Sequence, residues 1–230
     1  MRAFCLAGVA ALMLAHAAAA ADELATSAGA VTITPVRHAS LMLQAGGKVI
    51  HVDPWGAANY QNLPAADLVL LTHDHGDHFD PAALEKVVKA DTGVVAPPVV
   101  AAKYARAASI SAGDTREWSN WRIEAVHAYN FEGRHEKGVG IGYVLTYGGK
   151  RIYIAGDTDG TPEMKALKDI DVAFVPMNPP YTMSPQQAAE AVRAFKPKVV
   201  YPYHFRGSDV KAFEAALAGS GVEVRIRNWY

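Results

Sequence analysis

From residue 70 to residue 78 the chain reads Leu-Leu-Thr-His-Asp-His-Gly-Asp-His, which sets His73, His75 and His78 beside Asp74 and Asp77. Imidazole nitrogens and carboxylate oxygens at this density suit a divalent ion. Zinc fits best, manganese and iron are accommodated, and the donors suffice for two ions side by side. The loop follows an apolar run, and side chains leaving a strand end converge on a ligand without breaking the core. Two later apolar runs end in the same kind of donor: residues 151–155 lead to Gly156 and Asp157, and residues 199–203 lead to His204. Three runs that each deliver a ligand imply one shared site.

Two ions about 3.5 Å apart would lower the pKa of a water held between them and produce hydroxide without a protein nucleophile. That chemistry fits cleavage of an ester, lactone or phosphodiester bond. Asp77 could orient the hydroxide as well as ligate. No Gly-x-Ser-x-Gly elbow is present, and the one cysteine, Cys5, lies in an apolar leader. His38 and Asp53 stand near strand ends, where they could orient ligands or, for His38, donate to substrate. His51 alternates out of the apolar face of its run and has no expected role. Arg37, Arg134, Lys137 and Arg206 flank the motif residues and would suit an anionic group on a small substrate.

These donors need a scaffold of strands. Residues 31–33 and 41–43 read as strands, Gly46-Gly47 as a hairpin turn into 48–52, and 67–72 as a buried strand. Asp80-Pro81 opens a helix to about Lys89. Further strands are expected at 94–95, near Ile110, and at 121–126, 142–147 and 151–155. Then strand and helix alternate: 172–175, a helix capped by Ser184 to Phe195, 198–201, a helix over 208–217, and 222–226. Asp22 to Gly29 reads as a polar linker. Strand meanders with helices on particular faces indicate a layered α/β sandwich in one domain, residues 22–230.

The balance of 22 Lys and Arg against 23 Asp and Glu excludes a broad basic face for nucleic acid. Residues 1–21 have a basic start, an apolar stretch and a small-residue run, the build of a signal peptide, so a periplasmic or secreted protein is expected. The apolar stretch is short for a membrane span, and stable insertion is not expected. Oligomeric state is not legible in the sequence.

The His-x-His-x-Asp-His loop, Gly156-Asp157-Thr158 and His204 resemble the metallo-β-lactamase superfamily over nearly the whole chain after the leader. Arg37 to Ser40, Val52 to Pro54, Tyr181 to Met183 and Pro202 to His204 are similar to its ascorbate-phosphate lactonase-like and phospholipase-D-like branch. The resemblance implies a four-layer αββα sandwich of two mixed sheets and a metal-dependent hydrolase. It implies that His73 and His75 hold one ion, that Asp77, His78 and His204 hold the other, that Asp157 bridges, and that Tyr181 contacts substrate. Family members also supply a histidine between the first loop and the bridging aspartate. A Pro-Ala-x-His pattern would place it at Asn130, so either His127 or His135 must fill the role. Relatives in this branch have proline where His127 stands and keep the later histidine, which favours His135. Two rival readings are an iron-dependent redox enzyme of the same fold and a non-catalytic module that binds metal or a partner.

Overall fold

Alternating apolar residues between Val31 and Val52 fold into a meander, and the same pattern recurs between Trp121 and Ile154. The structure, a computed structural model, describes residues 21–230; the leader, with Cys5, lies outside them apart from Ala21. The first half comprises β1 (Asp22–Leu24), β2 (Val31–Arg37), β3 (Ser40–Ala45), β4 (Lys48–Val52), β5 (Leu68–Leu70), α1 (Pro81–Val87), β6 (Gly93–Ala96), α2 (Pro98–Ala101) and β7 (Ala107–Ser109). The second comprises β8 (Thr115–Trp118), β9 (Trp121–Ala128), β10 (Gly140–Tyr147), β11 (Lys150–Ile154), α3 (Pro162–Lys165), β12 (Val172–Pro176), α4 (Pro185–Phe195), β13 (Val199–Tyr203), α5 (Val210–Ala216) and β14 (Glu223–Val224).

Each half forms one seven-stranded sheet whose strands lie in chain order. In both, three antiparallel pairings are followed by three parallel ones. Asp53, just after β4, and Asp157, just after β11, therefore hold equivalent places in the two halves. Between the sheets lies a layer that includes Leu41, Leu43, Ile50, Trp121, Tyr143, Ile152, Phe174 and Trp229. Separate apolar layers join α1 and α2 to the first sheet and α3, α4 and α5 to the second. The expected four-layer αββα sandwich is the observed fold. Each fully buried large apolar side chain contributes roughly 1.5–3 kcal/mol. The inter-sheet layer and the two outer layers all contribute on that scale.

Local differences have local causes. Residues 22–24 form a strand rather than a linker. Arg227 holds Asp22 at 2.7 and 2.8 Å, Tyr201 adds a hydrogen bond at 2.9 Å, and Leu24 packs on the core. Helix α1 stops short of Lys89, whose N–H turns to Thr92 Oγ1 at 2.8 Å. His51 is buried rather than turned out, and its Nε2 bonds the Pro64 carbonyl at 2.9 Å. Among the described residues no helix is long and apolar enough to cross a membrane.

Candidate metal centre

The parallel pairing of β4 with β5 sets Val52 opposite Leu70, so the residues that follow each strand meet. Asp53 is wholly buried at a positive φ of 44°. It accepts the Thr72 N–H at 2.8 Å and the Thr72 hydroxyl at 2.6 Å. With that proton committed, Thr72 Oγ1 can only accept from His73 Nδ1, 3.0 Å away. His78 donates from Nδ1 to Asp53 at 2.8 Å, and His135 donates from Nδ1 to Asn130 Oδ1. In all three rings the partner of Nδ1 turns Nε2 towards the Asp157 carboxylate, the usual way an outer carboxylate or amide prepares a histidine for metal.

The Nε2 atoms of these rings and of His204 converge on Asp157. Its carboxylate lies 3.4 Å from His78 Nε2, 3.4 Å from His204 Nε2, 3.6 Å from His135 Nε2 and 3.9 Å from His73 Nε2. The longer of these separations exceed a good hydrogen bond. They approach the edge of a tetrahedron with zinc–nitrogen bonds of about 2.0–2.1 Å, roughly 3.4 Å. Nε2 of His73, of His78 and of His204, and Oδ1 of Asp157, are buried without a hydrogen-bond partner. Each such orphan costs about 1–3 kcal/mol, so a cluster of them fits a cation.

The donors form two groups. Ligand atoms of His73, His75 and His135 lie within 4.8 Å of one another, as do those of His38, Asp77, His78 and His204. Asp157 falls with His73 and His78, between the two. His73, His75 and His135 would hold one ion, Asp77, His78 and His204 the other, and Asp157 would touch both. His38 Nε2, 3.0 Å from Asp77 Oδ2, supports that carboxylate as a hydrogen-bond partner.

Gly156 makes the convergence possible. Its φ is +66°, and a Cβ there would lie 2.9 Å from the Ile141 carbonyl and 3.2 Å from Thr72 Cβ. A side chain would push β11 away from the first loop. Its N–H is held by the buried Tyr203 hydroxyl at 2.9 Å, which ties Asp157 to the strand that delivers His204.

Burial opposes charge on Asp157, yet the four surrounding histidines hold its carboxyl well below the usual range. For Asp77 burial is likewise outweighed by the nearby His204 imidazole and the hydrogen bond from His38, which hold its carboxyl well below the usual range. Burial lowers His73 and His135 and takes His38 down to about 4. His78 alone goes up, to about 9, because Asp157 and Asp53 overcome its desolvation. In the metal-free protein at pH 7.5 His78 is therefore protonated, whereas a ligating imidazole must be neutral. Loading with zinc at pH 7.5 is expected to release about one proton from this site, falling towards none above pH 9. Calorimetry in buffers of different ionisation enthalpy reads that number.

His127, the other expected candidate for the mid-chain ligand, belongs to neither donor group and faces the edge of the Tyr129 ring. His135→Ala should weaken metal binding about 10-fold or more, and His127→Ala should leave it near wild type. Metal titration of the two variants checks this. Among the residues expected at the mouth, Tyr181 and Arg206 line a cleft of about 220 Å³ with His75, Asp77, His135, Asp157, Asn178 and His204. Arg134 lies 5.5 Å over the Tyr181 ring. Lys137 does not join them: it is taken up by Glu163 at 2.6 Å and lies over Tyr129. Arg37 keeps a buried Nε without a partner. Thr72, Trp55 and Tyr230 were not singled out by sequence. Asn130, where a histidine ligand would fall in the Pro-Ala-x-His pattern, instead orients one.

The model of the β-lactamase superfamily domain matches residues 32–204. A UPF0173 metal-dependent hydrolase of Thermus thermophilus is 32% identical over 215 residues, covering 84% of this chain and 94% of that protein. A crystal structure of a candidate metal-dependent hydrolase from Parabacteroides distasonis is 46% identical. It superimposes with a TM-score of 0.88 over 91% of this chain and 98% of its own. Igni18, a metallo hydrolase from Ignicoccus hospitalis, is 25% identical with a TM-score of 0.74, over 85% of this chain and 94% of its own.

Proposed function

The chain belongs to the metallo-β-lactamase superfamily, and on that footing we propose that it is a two-ion hydrolase of a small anionic ester, lactone or phosphodiester. One observation carries the reading: four imidazoles converge on the Asp157 carboxylate at the floor of an open cleft that His75 and Asp77 also line, with the Nε2 atoms of His73, His78 and His204 buried and unpartnered. Divalent ions held there, zinc by the donor set, supply Lewis acidity and bring the pKa of water down towards neutrality. The chain's own residues supply the rest. Asp77, one-third exposed, faces the cleft with an ionised oxygen that can orient a water. Arg206 lies 6.0 Å over the Trp55 ring and Arg134 over Tyr181. Each is an exposed guanidinium laid on an aromatic face beside the cleft, suited to a carboxylate or phosphate group on the substrate. The leader at residues 1–21 would place this activity in the periplasm or outside the cell.

The test is a panel of activated esters, lactones and phosphodiesters, such as p-nitrophenyl acetate and bis-(p-nitrophenyl) phosphate. It is run on wild type, on chelated protein and on protein reloaded with zinc, manganese or iron. Turnover of one bond class, lost with the metal and restored by it, is the expected result. Arg206→Ala should then raise KM for anionic members more than for neutral ones. Hydrolysis that survives complete metal removal, or a loaded protein inert to the whole panel, would contradict the proposal.

A further inference from the structure

Residues 229 and 230 reach back across the molecule to the turn that carries His38. Trp229 is buried between the sheets, and its carbonyl accepts the His38 N–H at 2.9 Å. This anchor places the Tyr230 hydroxyl 2.7 Å from His38 Nδ1 and 2.9 Å from the Arg206 N–H. The His38 ring in turn lies 3.8 Å, centroid to centroid, from that of His204, whose N–H bonds the His38 carbonyl at 3.0 Å. Tyr230 therefore spans the two loops that bring Asp77's partner and His204 together.

The proton order follows from what each atom can do. The backbone N–H of Arg206 can only donate, so the Tyr230 oxygen accepts there and its own proton is free for His38 Nδ1. With Nδ1 accepting, the neutral ring carries its hydrogen on Nε2, which donates to Asp77 Oδ2 at 3.0 Å. In the other tautomer, Nδ1–H would meet the phenol and the Nε2 lone pair would face a carboxylate oxygen, which repels it. The Asp77 carboxylate and the Tyr230 hydroxyl, one at each ring nitrogen, thus favour the same tautomer, the one in which Asp77 is held.

We infer that Tyr230 is a positioning residue for the half of the centre built from Asp77, His78 and His204, acting through the tautomer of His38. The inference rests on the two-ion reading above. The other half, His73, His75 and His135, makes none of these contacts: its supports are Thr72 and Asn130. Loss of the Tyr230 hydroxyl should therefore weaken one ion and spare the other.

The experiment uses Tyr230→Phe in the full chain, which keeps the ring and its edge contact with Phe205 at 5.0 Å while removing only the hydroxyl. Zinc is titrated into metal-free protein against a chelating indicator. In parallel, nitrogen-15 spectra of labelled histidine report which His38 nitrogen carries the hydrogen. Expected are a weaker ion, by about 10-fold or more, an unchanged tighter or looser partner at His73, His75 and His135, and a shift of His38 away from the Nε2–H form. In a His38→Ala background, Tyr230→Phe should cost nothing further. An unchanged His38 tautomer, equal weakening of both ions, or an additive loss in the His38→Ala background would each overturn the inference. Wild type that binds only one ion would overturn the two-ion reading, and the tautomer measurement would still decide whether Tyr230 fixes His38.

Discussion

Asp157→Asn is expected to leave the chain without a stable pair of ions and to lower hydrolysis more than about 100-fold, since even partners outside the ligands cost 10- to 100-fold when lost. Both oxygens of Asp157 face imidazoles, with His78 near one and His73, His135 and His204 near the other. Asparagine keeps the size and one oxygen. It removes the charge and turns an amide NH2 towards one set of ring nitrogens. An ion between the two donor groups would lose its shared anionic ligand, and two cations close together would lose the charge that lets them coexist. The same change removes the carboxylate that does most to hold His78 at about 9. Fewer protons should then be released on zinc loading at pH 7.5. Elemental analysis after gel filtration measures the ions, and a wild-type-like unfolding curve for the metal-free variant shows that the loss is local. Two retained ions in Asp157→Asn would contradict the assignment of this residue.

Asp53→Ala is expected to cost about 3–5 kcal/mol of stability, the scale for removing one partner of a buried charged pair. Asp53 is fully buried and accepts from the Thr72 N–H, the Thr72 hydroxyl and His78 Nδ1. Alanine leaves all three donors without an acceptor and keeps the left-handed backbone at a φ of 44°. Because the Thr72 hydroxyl no longer has a fixed acceptor, His73 loses its orientation along with His78. The metal affinity of both halves should therefore fall together. Urea unfolding of metal-free protein reads the stability, and zinc titration reads the affinity. The contrast with Asp157→Asn is diagnostic, for that variant should lose metal while its metal-free stability changes much less.

The candidate metal donors were legible in sequence wherever one directly follows an apolar strand. His73, His75 and His78, Asp157 and His204 all stand just beyond buried strand residues, and strand periodicity locates such positions without tertiary knowledge. The layered fold was legible for the same reason. What escaped depends on contacts between distant segments. Tyr230 meets His38 across 192 residues and Asn130 acts only because a loop folds His135 back onto it; no local pattern marks either. Strand β1 looks polar because its ties to Arg227 and Tyr201 are electrostatic. Strand β8, Thr-Arg-Glu-Trp, is an exposed sheet edge without an apolar face, and α2 and α3 are too short for helical periodicity. Lys137 was read as a mouth residue from its nearness to His135 in sequence, while space gives it to Glu163.

Anomalous diffraction at the zinc edge, from crystals of the zinc-loaded chain, tests the central claim most directly. Two peaks per chain are expected on either side of the Asp157 carboxylate, one bounded by His73, His75 and His135 and the other by Asp77, His78 and His204. A single peak, or peaks away from Asp157, would contradict it.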